Sequence, residues 1–308
     1  MVTHGKPCAR IIGSSENYHV QHANYLDLTR AHCSDPATDA LLLPTRTSPL
    51  LLSPARTALV VVDMQNFFLS QALGRRPGPG TAAASQLANV AIPAARKAGI
   101  RVVWLNWGLT EDDIAKLPPS IKRAFGDDGV ETDIEAKVAP GVETVDGTGK
   151  NKKLYKGLGS EMGTVVLDGK EVDAGRVLMR DQWNAALYPP LDGLWEEGKT
   201  LEQRPDVWLH KDRMSGMWGA RTDCQDFLEK EGITSLIFTG VNTDQCVSGT
   251  LTDAFSKGYD CILLADGCGT TSPQCAQEGI EHNAARTWGW LSDCQSLAAA
   301  VKNRFYMS

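Results

Sequence analysis

The chain has 308 residues, 42% of them hydrophobic, and its 37 acidic and 31 basic side chains leave a formal net charge of -6. That length supports one large domain with attached segments, and the mixed charges argue against a nucleic-acid or anionic-membrane surface. No window reaches the roughly 18 apolar residues of a membrane span, and the opening MVTHGKPCARIIGSSENYH lacks the apolar stretch of a secretory leader, so a cytoplasmic protein is expected, with small molecules or sister subunits as partners.

Residues 1–54 are polar, are interrupted by Pro44, Pro49 and Pro54, and carry no sustained period, which predicts an N-terminal arm ahead of a main domain over 55–308. Thr57 to Asp63 is a continuous apolar run rich in β-branched residues and ending in an acid, the pattern of a strand buried on both faces. A turn through Gly74, Pro77, Gly78, Pro79 and Gly80 leads to an Ala-rich helix over 81–98, then through Gly99 to a strand over 100–106, completing a βαβ unit. From about 109 to 205 the chain is Gly- and Pro-rich and weakly periodic, with Lys150-Asn-Lys-Lys153 and the stretch 157–163 inside it. This predicts a long insertion that shapes a pocket or a subunit contact. Regular alternation resumes with strands over 206–210, 235–239 and 261–265 and helices over 220–230 and 247–256. The expected fold is a three-layer, Rossmann-like α/β sandwich whose mostly parallel central sheet is flanked by helices.

The eight cysteines (Cys8, Cys33, Cys224, Cys246, Cys261, Cys268, Cys275 and Cys294) show no CxxC spacing, which disfavours a zinc knuckle or a disulfide framework and leaves reduced thiols. Open α/β sheets hold ligands beyond the carboxyl ends of their strands. Three chemically capable residues are expected there: Asp63 after the first strand, Lys211 after the strand 206–210, and Cys246 after the turn 240–245. Cys246 opens a predicted helix, where free N–H groups and the helix dipole favour a thiolate, and Lys211 adds positive charge. Asp63 is positioned to exchange protons with the thiol and a leaving group, and the turn offers N–H groups to an oxyanion.

The segments Leu59-Val-Val-Val-Asp-Met-Gln-Asn-Phe-Phe68, Lys211-Asp-Arg-Met-Ser-Gly-Met-Trp218 and Gly240-Val-Asn-Thr-Asp-Gln-Cys-Val247 resemble, in order, the three signatures of the isochorismatase-like cysteine hydrolases. The resemblance extends over roughly residues 56–290, and its most specific part is 240–247 with the continuation Thr250 to Gly258 and Asp266. It implies a Cys246, Asp63 and Lys211 triad, a cis Val241–Asn242 peptide, and an oxyanion hole formed by the backbone N–H groups of Asn242 and Cys246. It also implies a homo-oligomer, dimer or tetramer. Nicotinamidases of this family carry an Asp and histidines for a metal, but no histidine lies between His32 and His210 here, and the matching segment reads Asn106-Trp107-Gly108. Neither a metal nor another cofactor is therefore expected. Phe67 stands where many relatives carry an acid.

Phe68, Trp107, Arg213 and Trp218 are the substrate-binding candidates, and Met217 joins them beside the signatures. The aromatic residues fit a pocket wall or plain core equally well, and Arg213 fits a carboxylate clamp or an exposed charge. Trp183 and Asn184 are candidates to close over the site, whereas strand alternation turns His210 away from it. The leading expectation is a metal-independent cysteine hydrolase that cleaves a C–N bond of a small amide, ureide or lactam through a thioester. The alternatives are an isochorismatase-type ether or ester hydrolase using Asp63, and a non-catalytic binding protein on the same fold.

Overall fold

The computed structural model of the chain describes residues 9–31, 39–126 and 156–307, with side chains as far as 304. Among the described residues of the segment 1–54 lie five short strands: β1 (Arg10–Gly13), β2 (Tyr18–Gln21), β3 (Leu26–Asp27), β4 (Leu41–Leu43) and β5 (Leu50–Leu52). They form one sheet in the order β1-β2-β3-β5-β4, in which only β3 and β5 pair in parallel. Strands of two to four residues are too short to impose a readable period, which is why the sequence of this region looks irregular. Leu41, Leu43, Leu50 and Leu52 are nonetheless fully buried against the main body.

The central sheet has six strands, all parallel: β6 (Thr57–Val62), β7 (Arg101–Trp107), β10 (Val207–Lys211), β11 (Ser235–Val241), β12 (Asp260–Gly269) and β13 (Trp290–Ser292), in the order β10-β7-β6-β11-β12-β13. The strands 8 and 9 in chain order, Thr164–Leu167 and Lys170–Asp173, form a separate antiparallel hairpin inside the stretch 109–205. That stretch also holds helices Glu111–Lys116, Pro119–Phe125 and Leu191–Gly198. Its residues 127–155, with Lys150 to Lys153, lie outside the described residues.

Every residue of β6 is buried, because its side chains enter two cores alternately: Leu59 and Val61 on one face, Ala58, Val60 and Val62 on the other. Two-sided burial is the reason for its unbroken apolar run. Helices Pro79–Gln86, Ile92–Ala98 and Cys294–Met307 pack with the first core, and Asp223–Lys230 and Ser248–Ser256 with the second, so the α/β sandwich has three layers. The expected elements recur with ends displaced by a few residues; β12 runs four residues beyond Ala265 and carries a register shift against β11. Among the described residues, no helix is long and apolar enough to cross a membrane.

A polar knot joins the N-terminal sheet to the main sheet at the amino ends of β11 and β12. Asp260, nearly inaccessible, receives Arg30 through both carboxylate oxygens at 2.7 and 2.9 Å, His19 at 2.7 Å and the Ser235 hydroxyl at 2.7 Å. Burial raises the Asp260 pKa, but hydrogen bonds from His19 and Arg30 and the Arg30 charge together outweigh it and hold the carboxyl below its ordinary 3.8. A carboxylate with a depressed folded-state pKa stabilises fully above its unfolded value, and that contribution is lost as pH falls through the folded-state value. Asp260→Asn, which strands Arg30 without a counter-charge, is expected to cost about 3–5 kcal/mol in urea unfolding at pH 7 and to flatten the acid limb of the stability profile.

Candidate active site

The carboxyl edge of the sheet brings the three expected residues together. Asp63 follows β6 in a left-handed conformation with φ of +52°, which an aspartate tolerates better than the valines before it. Its amide donates to the Leu105 carbonyl at 3.1 Å, and its own carbonyl accepts from the Gln65 amide at 2.7 Å. Lys211 closes β10 in register with Trp107 on β7. Cys246 lies in a π-helical turn, Thr243–Val247, between β11 and the helix Ser248–Ser256. All three are buried.

Lys211 Nζ stands 2.9 Å from Asp63 Oδ2, donates to the Arg213 carbonyl at 3.0 Å, and lies 4.1 Å from the centre of the Trp107 ring. Asp63 Oδ1 accepts from the Trp107 amide at 3.1 Å, and the Asp63 carboxyl also meets the Cys246 thiol. Burial raises the Asp63 pKa despite the opposing charge of Lys211 and the hydrogen bonds of Lys211, Cys246 and Trp107. The carboxylate is thereby made a better proton acceptor.

The thiol departs from expectation. A depressed pKa was predicted from a helix N-terminus and Lys211; instead burial pushes the Cys246 pKa up to about 12, and Asp63 adds to the rise, while Lys211 and the Trp107 indole oppose it. Cys246 sits in the fourth position of the π-turn rather than at the first residue of a helix, and it is shielded from water. Burial thus favours the protonated thiol over the thiolate that a helix terminus would support.

The turn that carries Cys246 is set by β11. Gly240 has φ of +114°, and a Cβ there would stand 2.0 Å from the Val62 carbonyl oxygen, so only glycine lets β11 pass β6 at this point. The following Val241–Asn242 peptide is cis. The Asn242 carbonyl then accepts from the amides of Gln245 and Val247, and the Thr250 hydroxyl donates to the Cys246 carbonyl at 2.7 Å while accepting from the Gly216 amide at 3.2 Å. Thr250 thus ties the Cys246 turn to the loop beyond Lys211.

Gln65 escaped the sequence reading, although it lies two residues after Asp63. Fully buried, it donates through Nε2 to the carbonyls of Trp107 and Ala185 at 2.8 and 2.7 Å, and its Oε1 accepts from the Trp107 amide at 3.1 Å. Asn66 donates to the Trp183 carbonyl and its amide to Ala186, so the segment 183–187 is stitched to the Asp63 loop. Asn184 does not close over the site: its side chain is buried and brackets the loop 174–178 through the Ala174 and Arg176 carbonyls and the Leu178 amide.

Among the other candidates, Trp107 packs edge-on against Phe125 at 5.0 Å and contacts both Lys211 and Cys246. Phe68 lies at the edge of both cores, T-shaped to the buried Phe67. The Arg213 guanidinium is engaged by the Asp212 carboxylate at 3.0 Å and stacks over Trp218 at 4.8 Å, and the Trp218 indole also binds Asp212. Among the described residues no contact joins that group to the triad side chains; Arg213 reaches Lys211 only through its carbonyl. His210 accepts from the Trp208 indole at 3.3 Å, and burial lowers its pKa. The described cysteines are free, Cys275 alone among them exposed; Cys8 and Cys33 lie outside the described residues. No three His, Cys, Asp or Glu side chains among the described residues form a group able to hold a metal ion.

A family model described as the isochorismatase domain matches residues 167–295. The chain is 30% identical over 276 residues to the ureidoacrylate amidohydrolase RutB of Serratia proteamaculans, an alignment covering 87% of this chain and 93% of that protein. The corresponding enzyme of Stutzerimonas stutzeri is 30% identical over 273 residues, covering 86% and 92%. Among solved structures, a cysteine hydrolase from Pseudomonas syringae pv. phaseolicola superposes with a TM-score of 0.54 at 16% identity, covering 85% of this chain and 98% of that one, which shows a shared fold. An isochorismatase family protein from Burkholderia thailandensis superposes with a TM-score of 0.51 at 20% identity, covering 84% and 99%.

Gly240→Ala is expected to destabilise the protein by about 3 kcal/mol or more, because both the backbone angle and the space beside Val62 are lost. Urea titration measures the loss; a change under about 1 kcal/mol contradicts the glycine requirement.

Proposed function

The chain belongs to the isochorismatase-like hydrolase family, and from that membership we propose that it is a cysteine hydrolase cleaving the C–N bond of a small amide or ureide, with Cys246 as nucleophile, Asp63 as acid and base, and Lys211 as their electrostatic support. The observation that carries the reading is the convergence of an amine, a carboxyl group and a thiol from three distant segments, with 2.9 Å between Lys211 Nζ and Asp63 Oδ2 and the thiol beside that carboxyl. The RutB relatives, named for an amidohydrolase reaction on ureidoacrylate, favour an acyclic ureide over a lactam.

The chemistry follows from the proton affinities. A buried thiol attacks efficiently only if its proton departs with the attack, and Asp63, itself raised by burial, accepts it. The sulfur bonds to the substrate carbonyl carbon, and the oxygen gains the negative charge, which the backbone N–H groups of Asn242 and Cys246 are assigned to hold. Collapse breaks the C–N bond as Asp63 returns the proton to the departing nitrogen. Water then adds to the thioester, gives a proton to Asp63, and releases the acid; that proton restores the thiol. The Lys211 ammonium, 2.9 Å from Asp63 Oδ2, supports the single negative charge as it passes from the carboxylate to the oxyanion.

Cys246→Ala is expected to abolish ammonia release from a ureide or amide substrate, and Asp63→Asn to lower kcat by about 10²–10⁴. Alkylation by iodoacetamide probes the thiol without any substrate. The midpoint of its rate with pH is expected to lie above that of an ordinary cysteine, to fall in Asp63→Asn, which removes a charge that raises the thiol pKa, and to rise in Lys211→Met. Shifts in the same direction in both variants contradict the assigned roles.

The same membership supports a homo-oligomer, dimer or tetramer. Met214 and Trp218, 46% and 52% exposed on the loop after Lys211, offer apolar surface for it. Light scattering on the purified chain is expected to give at least twice the monomer mass of 33.3 kDa.

A further inference from the structure

Four of the chain's eight tryptophans line one cavity that the proposed hydrolysis does not use. Its volume is about 760 Å³, and its walls come from β10, the segment 180–187 and the helix Leu191–Gly198. β10 is the edge strand of the central sheet, and it contributes Trp208 and His210. Lys211 is the next residue of that strand, and alternation sends its side chain to the opposite face. The cavity therefore lies behind the triad, with Trp107, whose ring covers Lys211, as the boundary between them.

The rings form a corner, not a stack. Trp195 and Trp208 are 5.4 Å apart with their planes inclined at 66°, and Trp208 and His210 are 6.1 Å apart at 58°. Trp183, Trp195 and Trp208 are each only half-buried, so ring surface remains open to a guest. His210 is seated in the wall because Gly108 has no side chain; a Cβ there would stand 2.0 Å from Nδ1. Burial above all, and then the charge of Arg180, holds the His210 pKa below its ordinary 6.5, so the imidazole is uncharged at neutral pH. Three carboxylates, Asp181, Asp192 and Glu196, share the cavity with one guanidinium, Arg180, which is exposed and donates through Nε to the Gly108 carbonyl at 2.9 Å. Glu196 holds Lys199 at 2.6 Å, and Asp192 accepts from the Gly193 amide at 2.8 Å. The Asp181 side chain, by contrast, makes no hydrogen bond or ion pair among the described residues. The Lys199 ammonium lies 5.8 Å from the centre of the Trp195 ring, so this indole already attracts a cation of the chain itself.

We infer that this cavity is a second ligand site, for a small organic cation of the alkylated ammonium class, with Trp183, Trp195 and Trp208 around the alkyl groups and Asp181 as the counter-charge. An alkylated ammonium is weakly hydrated and spreads its charge over its carbon substituents, so indole rings and one carboxylate replace its water well. A hydrated inorganic ion gains little from apolar rings, an anion meets an excess of carboxylates, and a neutral aromatic guest draws nothing from Asp181. The volume lies within the range of small-molecule sites. The site needs none of the groups assigned to hydrolysis and stands apart from that reading.

Choline and its uncharged carbon isostere, 3,3-dimethylbutan-1-ol, test the site by calorimetry on the full chain. Choline is expected to bind, and the alcohol to bind about tenfold more weakly or not at all. Trp195→Leu and Asp181→Asn are each expected to weaken choline about fivefold to tenfold. Asp181 is exposed, so its variant keeps the test open if Trp195→Leu fails to fold. Absence of choline binding, equal affinity for the alcohol, or a choline affinity that Asp181→Asn leaves intact overturns the inference. Choline binding is also measured in Cys246→Ala, where it is expected to be unchanged; loss there places the cation beside the triad and overturns the second site. A protein that binds choline in an Asp181-dependent way but releases no ammonia from any amide or ureide keeps the cation site and loses the proposed hydrolysis.

Discussion

The arrangement turns on a buried charge pair. Lys211 and Asp63 meet at 2.9 Å with almost no access to water, and a thiol shares their enclosure. Removing two ions from water costs several kcal/mol each, and their attraction offsets this only when the geometry is held. Much of the surrounding structure supplies that hold. The Trp107 amide fixes one Asp63 oxygen, the Trp107 ring covers the ammonium, and the Arg213 carbonyl accepts a hydrogen bond from it. The same enclosure that makes the ion pair expensive raises the proton affinity of both Asp63 and Cys246, which suits a pair that passes one proton back and forth.

The central sheet turns this requirement into a position. β7 lies between β10 and β6, and β11 lies on the far side of β6, so Lys211, Trp107, Asp63 and the turn after Val241 emerge side by side at one edge. Gln65 then extends the order outward by tying Trp107 to Ala185, so part of the irregular region 109–205 is an extension of the site wall. Across the same edge, Asn242 and Gln245, from the turn that carries Cys246, line a cavity together with Arg75 and Arg76.

The opposite edge of the sheet is organised for stability. There Asp260 gathers Arg30, His19 and Ser235, and the N-terminal strands add buried leucines to the first core. A second buried charge cluster at that edge serves attachment rather than chemistry, because its carboxylate is saturated with donors and its pKa is driven down. Asp63 differs in having its pKa driven up by burial, with only part of that rise offset by its partners. Two acids of similar burial therefore have pKa values displaced in opposite directions.

The sequence alone determined the parallel α/β order, through the two-sided apolar run before Asp63 and the strands recurring at βα spacing, because burial on both faces leaves a pattern that no loop imitates. It also singled out Asp63, Lys211 and Cys246, whose segments are short, ordered and chemically distinctive. It was silent on Gln65, Thr250 and Asn184 as brackets and on the five strands within 1–54, since their partners are backbone groups or residues far along the chain and strands this short leave no period. It misjudged the resting thiol, because helix position and a neighbouring lysine are local features while desolvation depends on everything packed around the sulfur. Only the tertiary structure decided that balance and the engagement of Arg213 by Asp212 and Trp218, for each is a matter of distance in space between groups whose separation along the chain carries no information about it.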